Sequence, residues 1–379
     1  MSEQDITAAV PAADESSRVE AVSSTTKRGG LLSGAAGRNL GLVIALVAIC
    51  AFGVITAGER FASVDNTLTI LRLASVIGVV SIGMTFVITG GGIDLSVGAM
   101  VALASVLGVI SIGMTFVITG GGIDLSVGSV IGLASVWAST LATQTMAQDV
   151  HWTIMVLCAL GVGIGAGLIN GVLIAYGKVV AFIATLAMLV SARGLAEIIA
   201  NRQTQVVKVD AFLDFFRSAP LGLPMLVWIF VLVSVAGWIL LNRTTFGRRT
   251  IAVGGNPEAA RLAGIKVKRH TMYLYALCGL TAGIGGVMML GRTTAGSSTN
   301  GQLYELDAIA AVVVGGTLLI GGRGTIVGTF LGVLIFTTLS NVFTQNNLSI
   351  SAQAIAKGVI IVVAVLLQQR IAERSRAGT

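Results

Sequence analysis

Asp94 and Ser96 stand two residues apart, directly after three glycines, Gly90 to Gly92. Asp124 and Ser126 repeat the arrangement after Gly120 to Gly122. A carboxylate and a hydroxyl at the start of an apolar run suit a helix N-terminus, where they satisfy orphan amides. They equally suit a polar path for a solute, because irregular backbone at membrane depth persists only where it is buried in protein or lines a cavity. Both readings stay open. Asn170, Lys178, Arg193, Glu197, Glu305, Asp307 and Lys357 also lie within or beside apolar runs. Ionisable groups in such places are functional candidates by default; Lys178 and Arg193, near segment ends, can instead snorkel. Glu305 and Asp307 precede the pairs Gly315-Gly316 and Gly321-Gly322, a second place where a helix can break. Asp307 is read as lining a pathway in preference to capping.

A different pattern occupies AVGGNPEAARLAGIKV, residues 252–267. Asn256-Pro257-Glu258 reads as a helix start, with an Asn cap, Pro at the first helical position and an acid in the first turn. Ala259, Ala260, Leu262 and Ala263 continue a short helix that Gly264 can end. A short surface helix of small residues suits docking into a partner's groove, or is simply a loop helix.

Catalytic and cofactor signals are missing. There is no G-x-x-x-x-G-K-[ST] loop for nucleotide phosphates, no Ser/His/Asp-type set, and no Cys/His cluster with metal-ligand spacing. Cys50, Cys158 and Cys278 all sit in apolar runs and read as small buried residues. The chain is expected to be no enzyme, to bind no metal or cofactor, and not to hydrolyse ATP itself.

The elements that must position these residues are apolar. Of 379 residues, 55% are hydrophobic and 11% charged, against about 25% charged in a soluble domain. The 49 Gly suit close helix packing. The net charge of +7 is read as Lys and Arg retained on one side of a membrane, with no nucleic acid as partner. A spanning helix needs about 20 apolar residues. Eleven segments approach that length: 40–58, 70–90, 98–119, 128–146, 152–176, 179–199, 223–242, 271–291, 305–321, 325–344 and 352–369. The short segment 305–321 either spans or is re-entrant. The fold class is an all-α polytopic membrane bundle of about ten spanning helices with broken or re-entrant segments. A polar tail, 1–39, precedes it as a disordered cytoplasmic stretch, and 370–379 follows as a cytoplasmic tail. The stretch 242–270 holds seven Lys and Arg against one acid, which places it in the cytoplasm.

One duplication complicates the count. Residues 73–102 and 103–132 agree at 24 of 30 positions, and SIGMTFVITGGGIDLSVG is identical at 81–98 and 111–128. With the N-terminus inside, seven crossings before 242–270 would put that basic loop outside; six would put it inside. A copy that fails to cross is the preferred way out, through a helix break at either Gly triplet. An outside N-terminus and a defective gene are the others.

GGIDLSVG, AFIATLAML (181–189), FGRRTIAVGGNPEAARLAGIKV (246–267) and YELDAIAAVVVGGT (304–317) together resemble the permease subunits of bacterial ABC importers for monosaccharides, of the ribose and xylose type. The resemblance runs from about 40 to 369. It implies a permease in the bacterial cytoplasmic membrane, working as a homodimer with two ATPase subunits and a periplasmic or lipid-anchored sugar-binding protein. ATP would be bound by the ATPase. The family's coupling helix would map to Gly254, Gly255, Asn256, Pro257, Glu258, Ala259, Ala260, Arg261 and Gly264. The path of the sugar would draw on Asp94 with Ser96 or Asp124 with Ser126, and on Asn170, Phe182, Thr185 and Asp307. The long tail and the duplication depart from the family pattern, and the duplication brings transport by this chain into question. Rival solutes are branched-chain amino acids, nucleosides or a signalling furanoside. A secondary transporter would place paired carboxylates in inverted halves, whereas the two Asp copies here are tandem.

Overall fold

The computed structural model describes residues 101–346 continuously, 95–100 as helical backbone, and scattered residues between 44 and 58 and between 348 and 366. Both polar tails, the segment 70–90 and the first copy's Gly90 to Asp94 lie outside the described residues.

Helices α1 (Leu95–Thr119), α2 (Val127–Ala138), α3 (Leu141–Asp149), α4 (Thr153–Ala175) and α5 (Ala181–Ile199) lead to a two-residue strand, β1 (Gln205–Val206). Then come α6 (Asp210–Arg217), α7 (Met225–Arg243), α8 (Thr245–Gly255), α9 (Pro257–Leu262) and α10 (Val267–Thr293). Strand β2 (Ala295–Gly296), α11 (Tyr304–Val314) and α12 (Ile326–Gln345) follow. Residues 351–360 are helical as well.

Six of these helices, α1, α4, α5, α7, α10 and α12, are long and apolar enough to cross a membrane. They fall into two groups. α1, α10 and α12 bury 94%, 78% and 78% of their apolar windows and form the interior; α4, α5 and α7 bury only 33%, 22% and 33%. Phe182, Ile183, Leu186 and Val190 of α5 are exposed. An apolar face of that extent is a liability in water and is at home in lipid.

Glycines bring the interior helices together. α4 carries two overlapping pairs four residues apart, and only one of them packs. A Cβ at Gly163 would lie 2.7 Å from Gly283 N, and one at Gly167 3.0 Å from Gly279 Cα, both on α10; Gly161 and Gly165 face open space. The small-xxx-small spacing therefore selects one face.

The contacts also fix direction. Thr119, at the end of α1, meets Gly254 of the basic stretch, while Ser135 of α2 meets Ser297, just past the far end of α10. Between Leu95 and that stretch the chain runs toward the basic end in α1, away in α2, toward in α4, away in α5 and toward in α7. The question of an extra crossing thus moves upstream of Leu95, where only scattered residues between 44 and 58 are described.

One segment differs from expectation, and another takes one of its two expected forms. The run 128–146 is not one helix. α2 stops at Ala138, and Thr140 caps α3 by accepting from Thr143 N at 3.3 Å. The run 305–321 is an 11-residue helix followed by irregular chain to Thr325, a half-helix instead of a span. At the end opposite the basic stretch, β1 pairs antiparallel with β2. Gln144 of α3 donates to Ser139 O and Val206 O and accepts from Lys208 N, lacing this end together.

Candidate functional site

The basic stretch folds as the sequence suggests. Thr244 caps α8 by accepting from Gly247 N. Asn256 ends α8 and starts α9, its Oδ1 accepting from Glu258 N at 3.1 Å and Ala259 N at 2.9 Å. Pro257 takes the first helical position. Gly264 ends the unit at φ +83°, with Ile265 N donating to Ala260 O. Ala260 is buried against the protein; Leu262 is exposed. Glu258 and Arg261 pair at 2.5 Å on the exposed side. The hydrogen bonds from Arg261, then its charge, hold the Glu258 carboxyl below the usual value. Being fully exposed, the pair contributes little to stability. It leaves α9 with a compact, charge-compensated outer face.

The first helix break lies between α1 and α2. Gly121 turns the chain at φ +84°. Asp124 follows, 2% exposed. Its Oδ1 accepts from Ser126 N at 2.9 Å and from Ser126 Oγ at 2.6 Å. Asn170 of α4 donates to Ser126 Oγ at 3.0 Å. Carboxylate, hydroxyl and amide therefore form a chain across two helices, and the Asn170 Oδ1 is left buried without a partner. An unmet acceptor at membrane depth costs about 1–3 kcal/mol, and a solute hydroxyl is one group that could satisfy it. Tyr275 of α10 donates to Ile123 O and pins the loop from the other side.

The second break, Gly315 to Thr325, is held mainly by backbone. Leu318 N donates to Arg323 O and Gly321 N to Leu318 O, each at 3.0 Å. Gly316, Gly321 and Gly322 adopt φ of +91°, +86° and +77°. Gly322 N donates to Thr119 O at 2.8 Å, tying this break to the end of α1. The end of α8 sits on both: a Cβ at Gly254 would overlap Thr119 O and lie 2.6 Å from Gly322 N.

The remaining residues of the expected path disperse. Asp94 lies outside the described residues, and Ser96 is described only as helical backbone in α1. Phe182 is exposed on α5. Thr185 is buried, its hydroxyl spent on Ala181 O. Asp307 bonds Lys357 at 3.0 Å. The structure brings together Asp124, Ser126 and Asn170, and not the others with them.

Arg193 and Glu305, both candidates in the sequence, fall in a second polar contact set whose grouping the sequence did not show. Arg193 does not snorkel: its guanidinium turns inward and donates to Ser298 O and Asn300 O. Glu305 is 8% exposed, with Oε2 unpartnered. It lies against Gly128, one turn along α2 from Gly132, which faces Arg193. Gly128 and Gly132, four apart, were the available signal. α6 was also missed, though Phe212 and Phe216 four apart behind Asp210 mark an amphipathic turn. Among the described residues no three metal-ligating side chains converge.

Comparison with known proteins gives this arrangement a family. No solved structure matches the chain. It is 36% identical to the ribose import permease protein RbsC of Escherichia coli (strain K12) over 332 residues, 86% of this chain and 92% of that one. It is 42% identical to the ribose import permease protein RbsC of Bacillus subtilis (strain 168) over 307 residues, 80% and 85% of the two chains. The fructose import permease protein FrcC of Rhizobium meliloti is 32% identical over 339 residues, 87% and 84%. Residues 101–368, from the buried part of α1 onward, match the family described as branched-chain amino acid transport system / permease component, and the chain is a member of that family.

Proposed function

We propose that this chain is the membrane permease subunit of an ATP-driven bacterial importer for a monosaccharide of the ribose type. The observation that carries it is similarity to ribose permeases across most of both chains. An exposed α9 joined to α8 through the single residue Asn256 supports it further.

In this reading α9 docks on an ATPase subunit, which alone binds ATP. A second copy of this chain completes the translocation unit, and a binding protein delivers sugar at the opposite end. Closure of the ATPases displaces α8 and α9 and re-biases an equilibrium between inward- and outward-facing states. Each ligand shifts that equilibrium only by its difference in affinity for the two states. The Asp124–Ser126–Asn170 chain supplies polar groups at a helix break, where an uncharged polyol can exchange water for protein partners. Neutral groups and a single buried carboxylate suit a solute without charge.

The test is reconstitution in vesicles with a partner ATPase and a sugar-binding protein. ATP-dependent accumulation of labelled ribose or another pentose is expected. The family description favours one rival, a branched-chain amino acid. Accumulation of labelled leucine with none of any monosaccharide would replace the sugar reading.

A further inference from the structure

Three stretches remote in sequence meet backbone to backbone at the basic end of the bundle. They are the first break at Gly121, the end of α8 at Gly254 and Gly255, and the second break at Gly321 and Gly322. A Cβ at Gly321 would lie 2.7 Å from Gly254 O and 2.8 Å from Gly121 Cα. One at Gly322 would lie 2.8 Å from Gly255 Cα. One at Gly254 would overlap Thr119 O, the same oxygen that accepts from Gly322 N. Beside them, a Cβ at Gly324 would overlap the Thr119 hydroxyl.

This contact is unlike ordinary helix packing. Side chains between two helices can change rotamer and let the helices slide. Here no side chain intervenes, and a hydrogen bond crosses the contact. Close-packed backbone transmits displacement with little compliance. α8 in turn continues through the single residue Asn256 into α9, so α9 has a short, stiff route to both breaks.

We infer that the glycine junction makes the two helix breaks and the end of α8 one rigid body, with Gly254 as the positioning residue that carries displacement of α9 to both breaks together. The junction itself stays closed throughout the transport cycle. This rests on the permease reading above.

The decisive test is a reversible lock. In a chain freed of Cys50, Cys158 and Cys278, Thr119→Cys and Gly324→Cys place a disulfide across the two breaks. The ideal Cβ at 324 lies 3.1 Å from Thr119 Cβ, a little under the usual disulfide spacing of about 3.8 Å. Vesicles holding the permease with its ATPase are assayed for sugar uptake and ATP hydrolysis, oxidised and then reduced. Equal uptake, within about twofold, is expected in both states. Loss of tenfold or more on oxidation, restored by reductant, would show that the breaks must part, and would overturn the inference. Gly254→Ala supplies a second readout. Sugar moved per ATP hydrolysed is expected to fall at least tenfold while the ATPase still co-purifies. Gly161→Ala, which faces open space on α4, controls for glycine replacement as such. Wild-type sugar per ATP in Gly254→Ala would also overturn the inference. If the Cys-free parent and the wild type both fail to transport any solute, the permease reading falls and takes this inference with it; loss confined to the oxidised lock removes this inference alone.

Discussion

The two helix breaks solve one problem by different means. Each interrupts a helix inside a dense bundle, and each must find partners for the amides and carbonyls that the interruption frees. The second does so mainly with main chain, through two tight turns and positive-φ glycines, helped by the Thr317 side chain, whose Oγ1 accepts from Thr325 N. The first uses side chains, with a buried carboxylate, a hydroxyl and an amide borrowed from α4. A backbone solution is a scaffold. A side-chain solution adds chemistry, because its groups can exchange partners with a solute. On that difference rests the proposal that the first break lies on the solute's path and the second is its mechanical counterpart.

The largest effect should follow from removing the carboxylate. Asp124→Ala strands the Ser126 amide and hydroxyl in the interior, and each stranded donor costs about 1–3 kcal/mol. The midpoint of thermal unfolding in detergent is expected to fall far more than for any single side-chain change in the second break. Equal shifts would erase the distinction between the two.

An intermediate effect separates the duplicate copies. Removing residues 73–102 or 103–132 gives two shortened chains that differ at only six positions, and in both Arg72 is followed by a leucine, Leu103 or Leu73. The first retains Ser129 and Gly132 in α2; the second puts alanine at both places. A Cβ at 132 would lie 3.0 Å from both Ser298 O and Asn300 O, and 3.3 Å from an Arg193 nitrogen. Crowding of that kind costs about 1–3 kcal/mol. The chain that keeps copy two is therefore expected to accumulate to several times the folded yield, by size-exclusion profile in detergent. Equal yields would mean that either copy can supply the first break.

The smallest effect belongs to the second break. Thr325 caps α12 by accepting from Gly328 N at 3.2 Å. Thr325→Ala should cost about 1 kcal/mol, read as a modest drop in the same unfolding midpoint with uptake preserved. A loss of uptake with little change in midpoint would show that the second break, too, handles solute.

Local signals were legible and long-range ones were not. Asn256, Pro257, Glu258 and Gly264 specify α9 within nine residues, because capping is a short-range matter. The glycine triplet announced a break for the same reason. The seating of Gly254 was invisible: Thr119 and Gly322 lie 135 and 68 residues away, and glycine carries no side chain to suggest a partner. The run 128–146 misled because hydropathy alone counts Ser139 and Thr140 as interruptions too brief to matter, whereas Ser139 ends one helix and Thr140 starts another. Arg193 misled because its place in an apolar run says nothing of the carbonyls at Ser298 and Asn300 that draw it inward.

The partners of the first break also set the order of events during synthesis. At about 5–20 residues per second, the second copy leaves the ribosome roughly 1.5–6 s after the first. Gly254, Tyr275 and Gly322, which hold the break in place, follow Gly122 by 132, 153 and 200 residues. Both copies are therefore already waiting when the surface that chooses between them is made. Order of emergence alone therefore does not decide between them. The choice between them is then expected to turn on fit against helices made later, which the folded yields of the two shortened chains would show.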